Sequence, residues 1–367
     1  MRIFAAYVLF AGFTALLQSQ PEPNSLLPRI DQRVELLSIT FMLSGMEEFN
    51  DSLNPNYSKS IHDHFDKYAG HKLITHLKQV RDSLAKNNID FGYWDAPGIA
   101  VHLSYPPGLK PLVPSDDSTN NDFWDNRSLI TDELVSLLQD FYKSADCETF
   151  FHSQQEYYDA VHRQYEKDGK RIDRDWIAEL FSIKPSEKYY AIIALCLRNG
   201  AYLRVNYGDE MRDTYTIFGC TAFDKNGIPE TFGQPYFVSS MLHEYIHCFV
   251  NQLVEKHSLK LKGPAEILLG DPVVFGKMKD TFYGNWRYLL YESLVRAFSI
   301  LYGKYNYGDK EKTEKEILFQ EEAGFYWMRD LVKLYDKYIT NRSKYEDMAS
   351  FMPVVVKFFR KLAEKYD

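Results

Sequence analysis

The chain has 367 residues, a net charge of -8, 45% hydrophobic residues and 16% aromatic ones. No basic stripe stands ready to neutralise phosphates, which argues against nucleic acid as a partner, and no apolar run reaches the about 20 residues a membrane-spanning helix needs. Cys147, Cys196, Cys220 and Cys248 are scattered without a CxxC pair; three disulfide pairings are open to them, although four scattered cysteines in a chain of this size more often stay free.

The N-terminus places Arg2 before an apolar run from Ile3 to Leu17, with small and polar residues ahead of Pro21. That is the layout of a secretory signal peptide over residues 1–19, and it predicts an exported protein, periplasmic or secreted. The remainder is longer than one core usually accommodates. Two regions are expected, giving an α+β fold: a mainly helical stretch at 28–184, and a region at 185–367 with a small sheet and the candidate site.

In the first region apolar residues fall at helical spacing over 33–49, 72–85, 128–144 and 147–184. Between them Ile99, Val101 and Leu103 alternate as a strand would, with His102 among them as a core or cleft residue. His62, His64, His71 and His76 cluster without a matching carboxylate pattern and read as structural or solvated. After Pro185 the chain turns β-rich. KYYAIIALCLRNGAYLRVNY reads as two strands joined in a hairpin at Asn199-Gly200. DTYTIFGCTAF follows as a third strand, expected at the sheet edge where an extended peptide can add by backbone pairing. The last segment, FMPVVVKFFRKLAEKY, reads as a packed terminal helix.

The chemistry is concentrated in SSMLHEYIHCFVNQ, residues 239–252. Leu242, Ile246, Phe249, Val250 and Leu253 make one apolar stripe. His243 and His247, four apart, project together, and Glu244 lies about 100° around the helix from His243. Two imidazoles with that spacing can bind zinc, and the glutamate can act as general base on an activated water. Chance would produce HExxH at most roughly 0.04 times in a chain of this composition, which favours a functional reading.

A catalytic zinc takes a third protein ligand. Val250 and Leu253 stand where the metzincin pattern needs glycine and histidine, which excludes that class. His257 lies ten residues beyond His247, about 15 Å along the helix, and is out of reach. Glu292 sits in the apolar setting of NWRYLLYESLVRAFSILYG, which is costly for a carboxylate without a positive partner. That partner is a metal, or Arg296 one turn on, or both, with Arg296 orienting a ligating carboxylate. Asp280 is the alternative third ligand, since DTFYG resembles the DxxYG element of aspzincin peptidases. Tyr283 in the same stretch is a candidate for stabilising an oxyanion.

HExxH with a glutamate on a second helix resembles the gluzincin group of zinc metallopeptidases. More closely, the segments RVELLSI, AVHL, MLHEYIHCFVN and YESLVRAF, spread from about Arg33 to Tyr302, resemble a family of exported bacterial proteins, domain of unknown function 4932, regarded as metallopeptidases. The resemblance implies a zincin-like fold with zinc on His243, His247 and Glu292, Glu244 as general base, and a peptide or protein substrate. The NExxxD pattern of well-studied gluzincins is absent: Tyr291 precedes Glu292 and Arg296 follows it. Two other readings stay open, a non-catalytic peptide- or glycan-binding protein with a structural or lost metal site, and a zinc hydrolase of a non-peptide amide.

Overall fold

The computed structural model describes residues 21–366, apart from 22, 24, 50–53, 90, 115–123, 125, 183–186, 199, 209–210, 231–234 and 280–283. The expected signal segment at 1–19, together with Asp280 and Tyr283, lies outside the described residues. The elements run β1 (Ser25–Ile30), α1 (Gln32–Leu43), α2 (Pro55–Phe65), α3 (Lys72–Ala85), α4 (Asp95–Val101), α5 (Asp132–Ser144), α6 (Cys147–Ser153), α7 (Gln155–Gly169), α8 (Arg174–Phe181), β2 (Glu187–Ala194), β3 (Ala201–Asn206), β4 (Arg212–Gly219), α9 (Pro235–Lys256), α10 (Ser258–Gly270), α11 (Pro272–Met278), α12 (Trp286–Tyr307), α13 (Lys310–Glu322), α14 (Met328–Thr340) and α15 (Met348–Ala363). The architecture is mainly helical with one four-stranded mixed sheet, an α+β fold.

The chain divides into two compact units. One comprises 1–172 with 185–238, the other 173–184 with 239–367. The sheet therefore belongs with the N-terminal helices, whereas the sequence pattern had grouped it with the histidine helix.

In the first unit the strand order is β1-β2-β4-β3; β2 runs parallel to both β1 and β4, and β3 is antiparallel to β4. Two expectations fail here. β2 and β3 are not a hairpin, because the chain leaves the ladder before Asn199: the Leu195 amide donates to the Glu35 carboxylate at 2.8 Å, and Leu195, Cys196 and Leu197 are buried off the sheet. The hairpin is instead β3–β4, turning at Gly208, whose φ of +86° suits glycine. β4 is also not an edge. It is paired on both sides, so its backbone groups are already used and it cannot accept an added peptide strand.

The alternation of Ile99, Val101 and Leu103 likewise misleads. Residues 95–101 form α4, where Ala96, Ile99, Ala100 and Val101 are all fully buried. A short helix buried on all sides shows no apolar stripe, so its period is unreadable. His102 follows it, its Nδ1 2.7 Å from the Gly98 carbonyl and its ring beside Trp124.

A buried polar group ties this unit together. Asp31 caps α1 through the Arg33 amide and also takes the Arg33 guanidinium at 2.7 Å. Arg33 donates onward to the Leu103 carbonyl and stacks over Tyr105, 4.0 Å from the ring centre. Both members of the pair are buried, so each depends on the other for its charge to be tolerated. The four N-terminal histidines have ordinary partners: His62 with Asp66, His64 with the Ala145 carbonyl, His71 with Asp140 and His76 near Glu133. All four cysteines are buried and unbridged, as expected.

Among its described residues the second unit is helical, assembled around α12. Leu290, Leu294, Ala297, Phe298 and Leu301 give that helix its buried stripe. Phe181, at the end of α8, stacks on Phe249 of α9 with ring centres 4.9 Å apart and meets Phe298 of α12 at the same separation. Phe298 also packs on Tyr335 of α14 at 4.2 Å. One aromatic side chain thus touches both helices that carry candidate ligands. The terminal helix α15 is capped by the reciprocal Asp347–Ser350 pair and buries Phe351, Met352, Val355, Val356 and Phe359, the packed helix its apolar spacing predicts.

Candidate metal centre

His243 and His247 lie on α9, and the 22-residue length of that helix follows from its uninterrupted apolar stripe. Met241, Leu242, Ile246, Phe249 and Val250 are buried, which turns the histidine face towards α12. On α12 the run of buried leucines fixes the helix rotation, and this brings Glu292 to the two imidazoles. A second tie lies about two turns further along α9: Glu255 accepts from the Arg287 guanidinium at 3.1 Å and from the Tyr291 hydroxyl. The ligand-bearing faces are thereby set by packing and by a hydrogen-bonded clasp, in addition to their own attraction.

His243 and His247 face each other with Nε2 atoms 3.1 Å apart. The His243 Nε2 is 3.4 Å from Glu292 Oε2, and the His247 Nε2 is 3.4 Å from Glu292 Oε1. Zinc bonds of about 2.0–2.1 Å in a tetrahedron set neighbouring ligand atoms about 3.3–3.4 Å apart. The three residues therefore fit a small four-coordinate cation, and among the described residues they form the group able to hold one.

The electrostatics agree with a site that wants positive charge. Burial would raise the Glu292 carboxyl, but the charge and hydrogen bonds of His243 and His247 outweigh it and hold it well below the usual carboxylate range. Burial would lower His247, yet its hydrogen bond to Glu292 and the negative charges of Glu244 and Glu292 raise it above the ordinary histidine value. Glu244 is thus close enough to act on His247, and it is only partly buried.

Around the three candidate ligands lie further polar partners. Arg296 Nε and Nη2 both reach Glu292 Oε2 at 2.9 Å, which leaves Oε1 facing His247. Arg296 is held in turn by Gln320 Oε1 at 2.8 Å and by the Phe325 ring, 5.1 Å from its guanidinium carbon. Gln320 donates to Glu316 at 2.8 Å. On the other side, His247 Nδ1 meets Asn251 Oδ1 at 3.0 Å. His257 turns away, with its Nδ1 on the Leu253 carbonyl at 2.9 Å.

Of the residues singled out in the sequence, His243, His247, Glu292 and Arg296 are brought together here, with Glu244 beside them. Asn251 and Gln320 were missed. Asn251 stands four residues after His247, a spacing that places it on the same face, so a signal existed. Gln320 arrives from α13, and only the tertiary packing reveals it.

The fold and the site define a mainly helical α+β protein in which two helices present a His-His-Glu group suited to a metal ion. The family model described as domain of unknown function (DUF4932) matches residues 26–358, and the chain belongs to that family. No curated protein and no solved structure matches it. Among the described residues no helix is long and apolar enough to cross a membrane.

Proposed function

We propose that the chain is an exported zinc metallopeptidase, with His243, His247 and Glu292 as zinc ligands in a gluzincin-like arrangement on a zincin-like helix pair. The observation that carries the reading is the convergence of three ligand atoms from two helices at separations of 3.1 and 3.4 Å, with a glutamate next in sequence to the first histidine. Zinc, when bound, supplies Lewis acidity and a water acidic enough to be deprotonated near neutrality. With the metal bound, Glu244 would accept a proton from that water and return one to the leaving amine, a role open to a carboxylate that is neither a ligand nor fully buried. Arg296 fixes the Glu292 carboxylate through Oε2, so the ligand does not have to be ordered when the metal arrives. Tyr283 is retained as a candidate oxyanion donor.

The test is elemental analysis of the purified protein, followed by digestion of mixed peptides. About one zinc per chain is expected, lost in Glu292→Ala and in His243→Ala. Glu244→Gln should keep the zinc and lose hydrolysis. No zinc in the wild-type protein after reconstitution would overturn the reading in favour of a binding protein. A zinc-loaded protein inert to peptides but active on other amides would overturn the peptidase assignment alone.

A further inference from the structure

We propose that Asn251 is a positioning residue of this centre: its amide oxygen holds the His247 ring in the tautomer that leaves Nε2 free to bind a metal. The inference rests on the metal reading above and concerns a residue which that reading does not need.

Asn251 and His247 are both buried, 5% and 8% exposed, and lie one helical turn apart on α9. The contact joins Asn251 Oδ1 to His247 Nδ1 at 3.0 Å. An amide oxygen only accepts, so Nδ1 carries the hydrogen. A neutral imidazole has one ring hydrogen, and with it on Nδ1 the Nε2 lone pair faces His243 and Glu292.

The opposing influence is also present. Glu292 Oε1 lies 3.4 Å from His247 Nε2 and would draw a hydrogen to that nitrogen. A neutral imidazole left to itself also favours the Nε2–H form, which cannot ligate through Nε2. Asn251 therefore works against both tendencies. Its place in the helix makes the bond local: four residues separate the two side chains, so the contact forms with the helix and needs no other element. Replacing Asn251 with leucine keeps the branched outline of the side chain and favours the helix, leucine being the better helix former, while deleting the acceptor.

Zinc affinity, measured by competition with a chromophoric chelator, is the first readout for wild-type protein, Asn251→Leu and Asn251→Asp. Asn251→Leu is expected to bind zinc about 10–100-fold more weakly, the usual cost of losing such a partner. Asn251→Asp, which keeps an acceptor in place, is expected to retain wild-type affinity or exceed it. An Asn251→Leu protein that holds zinc as tightly as wild type overturns the proposal. The second readout is the ¹⁵N spectrum of His247 in metal-free protein at a pH where the ring is neutral. Nδ1–H in the wild type supports the assignment, and Nε2–H overturns it even if the leucine variant does not fold. Should wild-type protein take up no zinc, the metallopeptidase reading fails, while the nitrogen spectrum still decides the role of Asn251.

Discussion

Glu35 is the carboxylate on which the stability of the first unit is expected to turn. It is fully buried on α1, accepts from the Leu195 amide and the Tyr57 hydroxyl, each at 2.8 Å, and lies near the Cys196 thiol at 3.7 Å. Burial pushes its pKa up from the ordinary 4.5 to about 7, although these donors pull the other way. Below its unfolded-state pKa the group is protonated in both states and costs nothing. As pH rises from the ordinary 4.5 to about 7 the unfolded chain releases this proton while the buried carboxyl keeps it, so stability is lost across that window, and the loss levels off once the folded group ionises as well. The shift corresponds to about 3 kcal/mol.

Glu35→Gln removes the charge and keeps the shape. Its carbonyl still accepts from Leu195, and its amide can donate to Tyr57, whose hydroxyl is 2.9 Å from that of Tyr158 and can donate onward. Urea unfolding of both proteins at several pH values gives the assay, since subtracting the curves cancels every other titrating group. Relative to wild type, Glu35→Gln is expected to gain up to about 3 kcal/mol between pH about 4.5 and about 7. A difference that stays constant across that window would refute the argument.

Two further outcomes test the packing. Phe298→Ala, which removes a fully buried ring lying between Phe181 and Tyr335, is expected to cost about 3–5 kcal/mol in chemical denaturation. Because α9 and α12 both touch that aromatic group, weaker zinc retention should accompany it; unchanged stability would show that the cluster does not hold the helices. Asp31→Ala leaves the buried Arg33 charge without its carboxylate and uncaps α1; a loss of about 3–5 kcal/mol is expected, and a thermal melt within a degree or two of wild type would exclude it.

The site was more legible in the sequence than the sheet was. His243, His247 and Glu292 could be read because helical spacing is local, and because a lone glutamate in a leucine-rich stripe demands a partner. The sheet was misread because strand order is set by long-range pairing. Nothing in KYYAIIALCLRNGAYLRVNY states that a carboxylate 160 residues upstream will take the Leu195 amide and end β2 early. β1 went unnoticed for a related reason: SLLPRI carries a proline and no alternation, and it is a strand only because β2 pairs with it. α4 was lost because burial on every side erases periodicity. Gln320 escaped notice because Arg296 looked satisfied by Glu292 alone, and the second acceptor comes from a different helix.

The aromatic contact between α8 and the two ligand helices bears on how the protein can be divided. Residues 173–184 belong to the second unit, yet they precede the strands at 185–238 that belong to the first. The chain visits the second unit, leaves it for three strands, and comes back. A fragment cut at the apparent linker near 185 would carry every candidate ligand and still lack Phe181, the ring against which Phe249 and Phe298 rest. The half that carries the candidate ligands is thus not a portable module, and during synthesis its core must wait for the strands to emerge before it can close.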